Sequence, residues 1–314
     1  MPSLELVDFN IVCAVAGGFI ASFGLVSFFL KERLFLSEAL IALLFGVIFS
    51  PHALDWIRPS SYTKGSDIDV EYITLYFSRL VLGVQLVVAG VQLPSQYLRR
   101  EWKSLALLLG PGMVIMWIVS SLLVWALVPN TPIVFALAIG ACITPTDPVL
   151  SNTIVKGRFA DANVSEDLQN IIIAESGTND GLGYPFLFLP LYLIRYVNYG
   201  GGQPYGTQTA VGLWFGETLG YQILLSIAYG VVVGWLAKEM LRFAERHNLV
   251  DRESFLVFSI SIAQLFIIGT CGLIGSDDVL ACFIAGNVFT WDDWFRKKTH
   301  DDSLQPTIEL LLNV

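Results

Sequence analysis

Residues 143–149, Ile-Thr-Pro-Thr-Asp-Pro-Val, place an aspartate between two prolines inside an otherwise apolar stretch. A proline lacks the backbone donor of a helix and disfavours helical geometry in the residue before it. Pro145 and Pro148 therefore predict that a membrane helix opens near Thr146 and Asp147. Such a break persists at bilayer depth only where it lines a protein or water cavity. An opened span that carries a buried acid indicates a cation site.

A second polar motif follows at residues 175–181, Glu-Ser-Gly-Thr-Asn-Asp-Gly. On a helix, Ser176 and Asp180 lie one turn apart on one face, and Glu175 and Asn179 form the adjoining pair. A carboxylate, a hydroxyl and backbone carbonyls are the oxygen ligands that a hard cation requires. A proton and a cation would compete for one buried carboxylate, which is the minimal mechanism of exchange.

The composition indicates a polytopic membrane protein. The 314 residues are 54% hydrophobic and 14% charged, and the mean hydropathy of +0.64 is too high for a soluble protein. The net charge of −9 forms no single acidic tail and gives no sign of nucleic-acid binding. Apolar runs of spanning length are predicted near 9–30, 34–52, 71–92, 104–127, 131–155, 167–193, 213–237, 254–273 and 276–291, and another opens at 307.

The basic residues indicate the orientation of these spans. Fourteen of the eighteen fall in the odd-numbered loops, which the positive-inside rule places in the cytoplasm: Lys31, Arg33, Arg99, Arg100, Lys103, Lys156, Arg158, Lys238, Arg242, Arg246, Arg252, Arg296, Lys297 and Lys298. The N-terminus is then predicted to be external. The helix of span 213–237 is predicted to continue past the membrane, with Lys238, Arg242 and Arg246 on a solvated face.

At the two motifs the chain resembles the monovalent cation/proton antiporters, and most closely the fungal plasma-membrane Na+(K+)/H+ antiporters. The resemblance covers essentially the whole chain and is strongest over 131–195 and 276–314. It implies an all-α fold built of inverted repeats with discontinuous crossing helices. It also implies a plasma-membrane homodimer without cofactors that exchanges cytoplasmic Na+, Li+ or K+ for external H+.

The same resemblance implies a role for each matching residue. Asp180 would carry the cation and the proton in turn, while Ser176 and Thr146 would contribute oxygens to the transported Na+. Asp147 would complete or polarise this site, and Asn179 would support it. In this family an asparagine before the aspartate accompanies the exchange of one proton per cation.

Other ionisable residues in the apolar spans have open assignments. Asp277 and Asp278 are either further carboxylates of the cation pathway or caps of a helix that begins beside Ser276. The family usually pairs Glu175 with an arginine on a later span, so its partner is not assigned. Arg79, the only basic residue within a span, is predicted to neutralise a buried acid, either near Glu71 or at the site.

The resemblance also implies a division of the chain. Residues 1–103 would be scaffold and dimerisation spans, 104–195 the core transport spans, and 196–314 a linker span with an incomplete second repeat. The final apolar run is too short to cross a bilayer, so we expect further spans, including the second crossing helix, beyond residue 314. We expect the 314 residues alone to be inactive.

Two other functional classes fit parts of the pattern. A cation channel also uses acidic residues for selectivity, but usually as a ring across subunits rather than one broken span facing one acid. An intramembrane aspartyl protease also has two aspartates on adjacent spans, which work as an acid–base pair. The residues around Asp147 do not match the sequence motif of such a protease, and neither do those around Asp180. An interrupted span beside a buried acid favours alternating access.

Overall fold

The computed structural model describes residues 8–34, 38–62, 67–147, 151, 155, 163–198, 206–250, 261 and 269–295. All regular elements in these ranges are helical. They are α1 (Asp8–Leu34), α2 (Glu38–Phe49), α3 (Pro59–Tyr62), α4 (Asp67–Gln92), α5 (Tyr97–Arg100), α6 (Trp102–Leu127), α7 (Ile133–Ile143), α8 (Glu166–Leu193), α9 (Gly206–Arg246), α10 (Gly269–Ile274) and α11 (Asp278–Phe289).

Helices lie at each predicted span except two. The span predicted at 254–273 lies mostly outside the described residues, and the one that opens at 307 lies wholly outside them. Within the described ranges, three helices are long and apolar enough to cross a membrane by length and composition: Ile68–Gln92, Trp102–Leu127 and Gly206–Arg246. The chain is therefore a multi-pass membrane protein, and the part of it that the structure describes is all-helical.

Helix α9 is longer than a bilayer requires. Its 41 residues extend for about 60 Å, whereas the hydrocarbon core of a membrane is about 30 Å thick. The helix continues to Arg246, so the predicted helical continuation beyond the span at 213–237 is confirmed. Residues Trp214–Ile223 within it form wider, π-helical turns.

The predicted solvated face at the end of α9 is wrong for Lys238. This lysine is only 7% exposed, and its Nζ lies 3.4 Å from Oδ2 of Asp292. Arg242 donates to the same oxygen at 2.6 Å, and its guanidinium covers the ring of Trp294 at 5.0 Å. The segment that follows α11 thus folds over α9 and removes Lys238 from water, while Arg246 stays exposed.

Helix α11 is the centre of the described fold. It packs against α4, α8 and α9, and nine of its twelve residues are buried. The backbones of α4 and α11 touch because glycines face each other, so that a Cβ on Gly90 would lie 2.5 Å from the carbonyl oxygen of Phe283. Small residues permit this kind of close packing, which stabilises membrane helices by van der Waals contact.

Candidate cation site

The predicted helix break is present. Helix α7 ends at Ile143, where the Thr144 hydroxyl donates to the carbonyl of Gly140 at 2.7 Å. Residues 144–147 are not helical, and the amide of Ser151 then donates to the carbonyl of Asp147 at 3.0 Å. The helix is therefore open at Thr146 and Asp147, the two positions predicted, although the carbonyl of Asp147 already accepts from Ser151. Pro148 lies outside the described residues.

Contacts with the neighbouring helices position the opened segment. A Cβ on Gly183 of α8 would lie 2.8 Å from Cγ of Pro145, so the proline ring fits against α8 only because residue 183 has no side chain. On the other side, Nε1 of Trp117 in α6 donates to the carbonyl of Leu137 at 2.8 Å. The opened segment thus packs against α8, and α6 holds α7 about two turns before the break.

Three polar side chains join the opened segment to α8. The Thr146 hydroxyl donates to Oε2 of Glu175 at 3.1 Å. Nδ2 of Asn179 donates at 2.7 Å to both Oε1 of Glu175 and the Thr146 hydroxyl. These bonds satisfy Glu175 without an arginine in the described part of the chain. Oδ1 of Asn179 is buried and has no hydrogen-bond partner there.

Ser176 forms a second bridge between α8 and the opened segment. It is fully buried, and its hydroxyl donates to the carbonyl of Thr146 at 2.8 Å. The hydroxyl of Ser151 donates in turn to that of Ser176 at 3.0 Å. One lone pair of Ser176 remains, so this residue both supports the Thr146 carbonyl and keeps an oxygen for a ligand. Sequence reasoning missed Ser151, although it lies one turn beyond Asp147.

Asp180 lies one turn beyond Ser176 and is half-buried. The charges that act on it are those of Asp147 and Glu175, both acidic. Asp147, at the end of the opened segment, is exposed. In the described ranges neither Asp180 nor Glu175 has an ion pair with a basic side chain. The negative potential of these carboxylates favours a cation or a proton at Asp180.

No three His, Cys, Asp or Glu side chains converge on a possible metal position among the described residues.

The acidic pair at 277–278 lies at the start of α11. Oδ1 of Asp277 accepts from the amides of Val279 and Leu280, so its capping role is confirmed. Asp278 is 2% exposed, and its Oδ2 accepts from Nη2 of Arg79 at 2.7 Å and from Nε at 3.0 Å. The predicted neutralisation of a buried acid by Arg79 is confirmed, with Asp278 rather than an acid near Glu71 as the partner.

The chain matches a family model described as sodium/hydrogen exchanger, transmembrane, over residues 18–314. The chain belongs to the sodium/hydrogen exchanger family. This is a family of transporters, so the alternative of an intramembrane protease is excluded.

Fungal antiporters are among the similar proteins. The chain is 39% identical to Na+/H+ antiporter 2 of Zygosaccharomyces rouxii, over 99% of the chain and 37% of that protein. It is 40% identical to a probable Na+/H+ antiporter of Schizosaccharomyces pombe, over 99% of the chain and 39% of that protein. It is 37% identical to a Na+/H+ antiporter of Saccharomyces cerevisiae, over 99% of the chain and 30% of that protein. The chain therefore spans between 30% and 39% of the length of these relatives.

Proposed function

We propose that the protein is a secondary antiporter that exchanges cytoplasmic Na+ for external H+ by alternating access. One observation carries the proposal: Asp180, half-buried, has no basic partner in the described ranges and lies beside the opened segment of α7. The antiporters among its relatives support this function. The opened segment contributes backbone carbonyls, which the Asp180 carboxylate needs beside it to bind a bare or partly hydrated cation.

The mechanism that we propose is competition at one carboxylate. A proton on Asp180 removes the charge that holds the cation, and a cation beside Asp180 disfavours the proton. Each transit then carries one ligand or the other, and the two gradients are coupled. Thr146, Ser176 and Asp147 contribute or polarise further oxygens, while Asn179 and Glu175 hold Thr146 in place.

The contacts between α7 and α8 support a common movement of the site residues. Two bridges and the Pro145–Gly183 contact tie the opened segment to α8. We propose that these helices move together as the core at 104–195, against scaffold spans at 1–103 and 196–314. The inverted-repeat fold with crossing helices is part of the same proposal.

The family relationship also supports finer proposals. By similarity to the fungal antiporters, we propose a homodimer in the plasma membrane with an external N-terminus, which transports Li+ and K+ besides Na+. The distribution of basic residues supports this orientation.

The test is cation-driven proton movement in proteoliposomes that contain the natural full-length protein, with Na+, Li+ and K+ added in turn. We expect wild type to move protons against each transported cation and Asp180→Asn to abolish this movement. Asp167→Asn is the matched control, because it removes an exposed carboxylate from the first turn of the same helix.

Two results would overturn the proposal. Cation flux without proton counterflow would favour a channel. Exchange that survives Asp180→Asn would place the exchanged proton on a different carboxylate.

A further inference from the structure

Helix α11 contains a buried asparagine whose side chain makes no hydrogen bond in the described part of the chain. Asn287 is only 1% exposed, and both its Oδ1 and its Nδ2 are buried there without a partner. An amide that leaves water without replacing its hydrogen bonds destabilises the fold. Such a group indicates a place for water or a ligand. The amide of Asn287 therefore points to a functional role rather than to a role in packing.

The spacing of residues on α11 places Asn287 on the face that packs against α8. Leu280, Phe283 and Asn287 are three and four residues apart, so they share one helix face. The first two contact glycines of α8. A Cβ on Gly181 would overlap the side chain of Leu280, and a Cβ on Gly177 would overlap the ring of Phe283. The two helices are thus antiparallel here, and Asn287 continues their common face by one turn.

This face of α11 passes close to Asp180. A Cβ on Gly181, the residue after Asp180, would lie 2.8 Å from Cα of Leu280. Phe283 then lies about 5 Å further along α11, and Asn287 lies about 10 Å further along. In the predicted orientation α8 begins in the cytoplasm, so both residues are on the cytoplasmic side of Asp180.

The ring of Phe283 separates Asn287 from the level of Asp180. Phe283 is fully buried and belongs to the same apolar cluster as Ile173 and Ala174 of α8. A constriction lined by apolar side chains excludes water and ions, so the seam between α8 and α11 is closed at this level. Gly177 and Gly181 present no side chain to α11, which allows the two helices to move along each other.

We propose that Asn287 is a cytoplasmic entry point for the transported cation, separated from Asp180 by the ring of Phe283. This inference rests on the proposed antiport function and on the predicted orientation. The amide oxygen of Asn287 replaces part of the water shell of the entering ion, as suits a hard monovalent cation. The ring of Phe283 is displaced when α8 moves against α11, and the ion then reaches Asp180.

The first test measures both stability and transport in Asn287→Leu, which replaces the amide by an apolar side chain of similar volume. Because the unpartnered amide is lost, we expect the apparent Tm of the full-length protein in detergent to rise by about 2 °C. The apparent KM for Na+ offered at the cytoplasmic face, measured in sealed inside-out vesicles, should rise about fivefold because one ligand is lost. The KM at the external face, measured in right-side-out vesicles, should remain that of wild type.

Two further variants separate a cation ligand from a structural residue. Asn287→Ser keeps an oxygen at this position and should raise the cytoplasmic KM by about twofold at most. Thr290→Val is the control, because it removes a buried hydroxyl of the same segment that already donates to the carbonyl of Gly286 at 3.3 Å. It should leave the KM unchanged at both faces.

The barrier is tested by Phe283→Leu, which shortens the side chain over Gly177. We expect downhill Na+ flux without proton counterflow to rise severalfold in proteoliposomes containing this full-length variant. Phe289→Leu is the matched control, because Phe289 is a buried ring of the same helix that packs on Phe295 instead, with centroids 4.8 Å apart. An equal leak in the two variants would overturn the assignment of Phe283.

A lower Tm in Asn287→Leu would show that the amide has a structural partner and would overturn the entry point. An unchanged cytoplasmic KM, or an equal rise at both faces, would overturn it as well. Asp180→Asn, assayed in the same vesicles, tests the proposed antiport separately. Exchange that survives this variant would contradict the role of Asp180 and leave the difference between the two faces in Asn287→Leu as a measurement of its own.

Discussion

The ion pair between Arg79 and Asp278 makes an asymmetric prediction for stability. Asp278 has a side chain that is only 3% exposed, whereas that of Arg79 is 30% exposed. Breaking a fully buried pair costs about 3–5 kcal/mol, mostly because the remaining charge has no partner. Arg79→Leu leaves the carboxylate in the less hydrated position. Asp278→Asn leaves a guanidinium that still reaches solvent.

We therefore expect Arg79→Leu to be the more damaging of the two changes. Discounted for the partial exposure of Arg79, its cost is about 2–3 kcal/mol, and that of Asp278→Asn is about 1–2 kcal/mol. The double variant should cost less than the sum of the single variants, because it leaves no unpaired charge. The pair joins α4 to α11, so this loss is a loss of helix packing.

The assay is thermal unfolding of the purified full-length protein in detergent, for wild type, both single variants and the double variant. We expect the apparent Tm to fall by on the order of 5 °C in Arg79→Leu, and less in Asp278→Asn. The reasoning is refuted if Asp278→Asn is the more damaging change, or if the two effects add fully in the double variant.

Three further predictions concern packing, pH and the candidate site. Gly90→Ala should lower the free energy of unfolding by about 1–3 kcal/mol, because the added Cβ would meet the backbone of α11. Gly212→Ala, which lies in open space on α9, is the control and should be neutral or slightly stabilising in the same thermal assay. Partial burial alone would raise the pKa of Asp292, but the hydrogen bond from Arg242 and the charge of Lys238 outweigh it and hold that pKa below its usual value. A carboxyl whose pKa is lowered by folding stabilises the fold above its pKa in the unfolded chain, about 4. Asp292→Asn should therefore cost about 0.5–1 kcal/mol of stability at pH 7 and nothing below the pKa of Asp292 in the folded protein. A cost that persists in acid would contradict the ion pairing of Asp292. Ser176→Ala should slow exchange about tenfold, because it leaves the Thr146 carbonyl without its donor. Thr178→Ala, which removes a hydroxyl bonded only within α8, is the control and should exchange at a rate within twofold of wild type. Equal losses of rate in the two variants would argue against a role for the bond between Ser176 and Thr146.

Local chemistry explains what the sequence predicted well. Pro145 and Pro148 constrain their own backbone, so the opening at Thr146 and Asp147 followed from the residues themselves. The spacing of Ser176 and Asp180 placed them one turn apart on α8 because helical geometry is local. The family resemblance, rather than local chemistry, assigned Thr146 an oxygen at the site, and its hydroxyl bonds Glu175 and Asn179.

The sequence pattern could not predict which residues far apart in the chain come into contact. Asp278 lies 199 residues from Arg79, and nothing in either segment specifies how α4 and α11 pack. Lys238 was assigned to a solvated face because its spacing with Arg242 is typical of one, whereas Asp292, 54 residues later, covers it. The hydrogen bond from the Tyr192 hydroxyl to Oε2 of Glu217 likewise depends on the packing of α8 against α9.

The central claim is that one carboxylate, Asp180, binds either a cation or a proton. Its most direct test is the apparent KM for Na+ of the full-length protein as a function of pH, measured in proteoliposomes with equal pH on both sides. Competition predicts that the KM rises about tenfold for each unit that the pH falls in the acid range, while the maximal rate at saturating Na+ changes little. A KM that stays constant over two pH units, with a rate that falls instead, would show that the proton and the cation occupy separate groups.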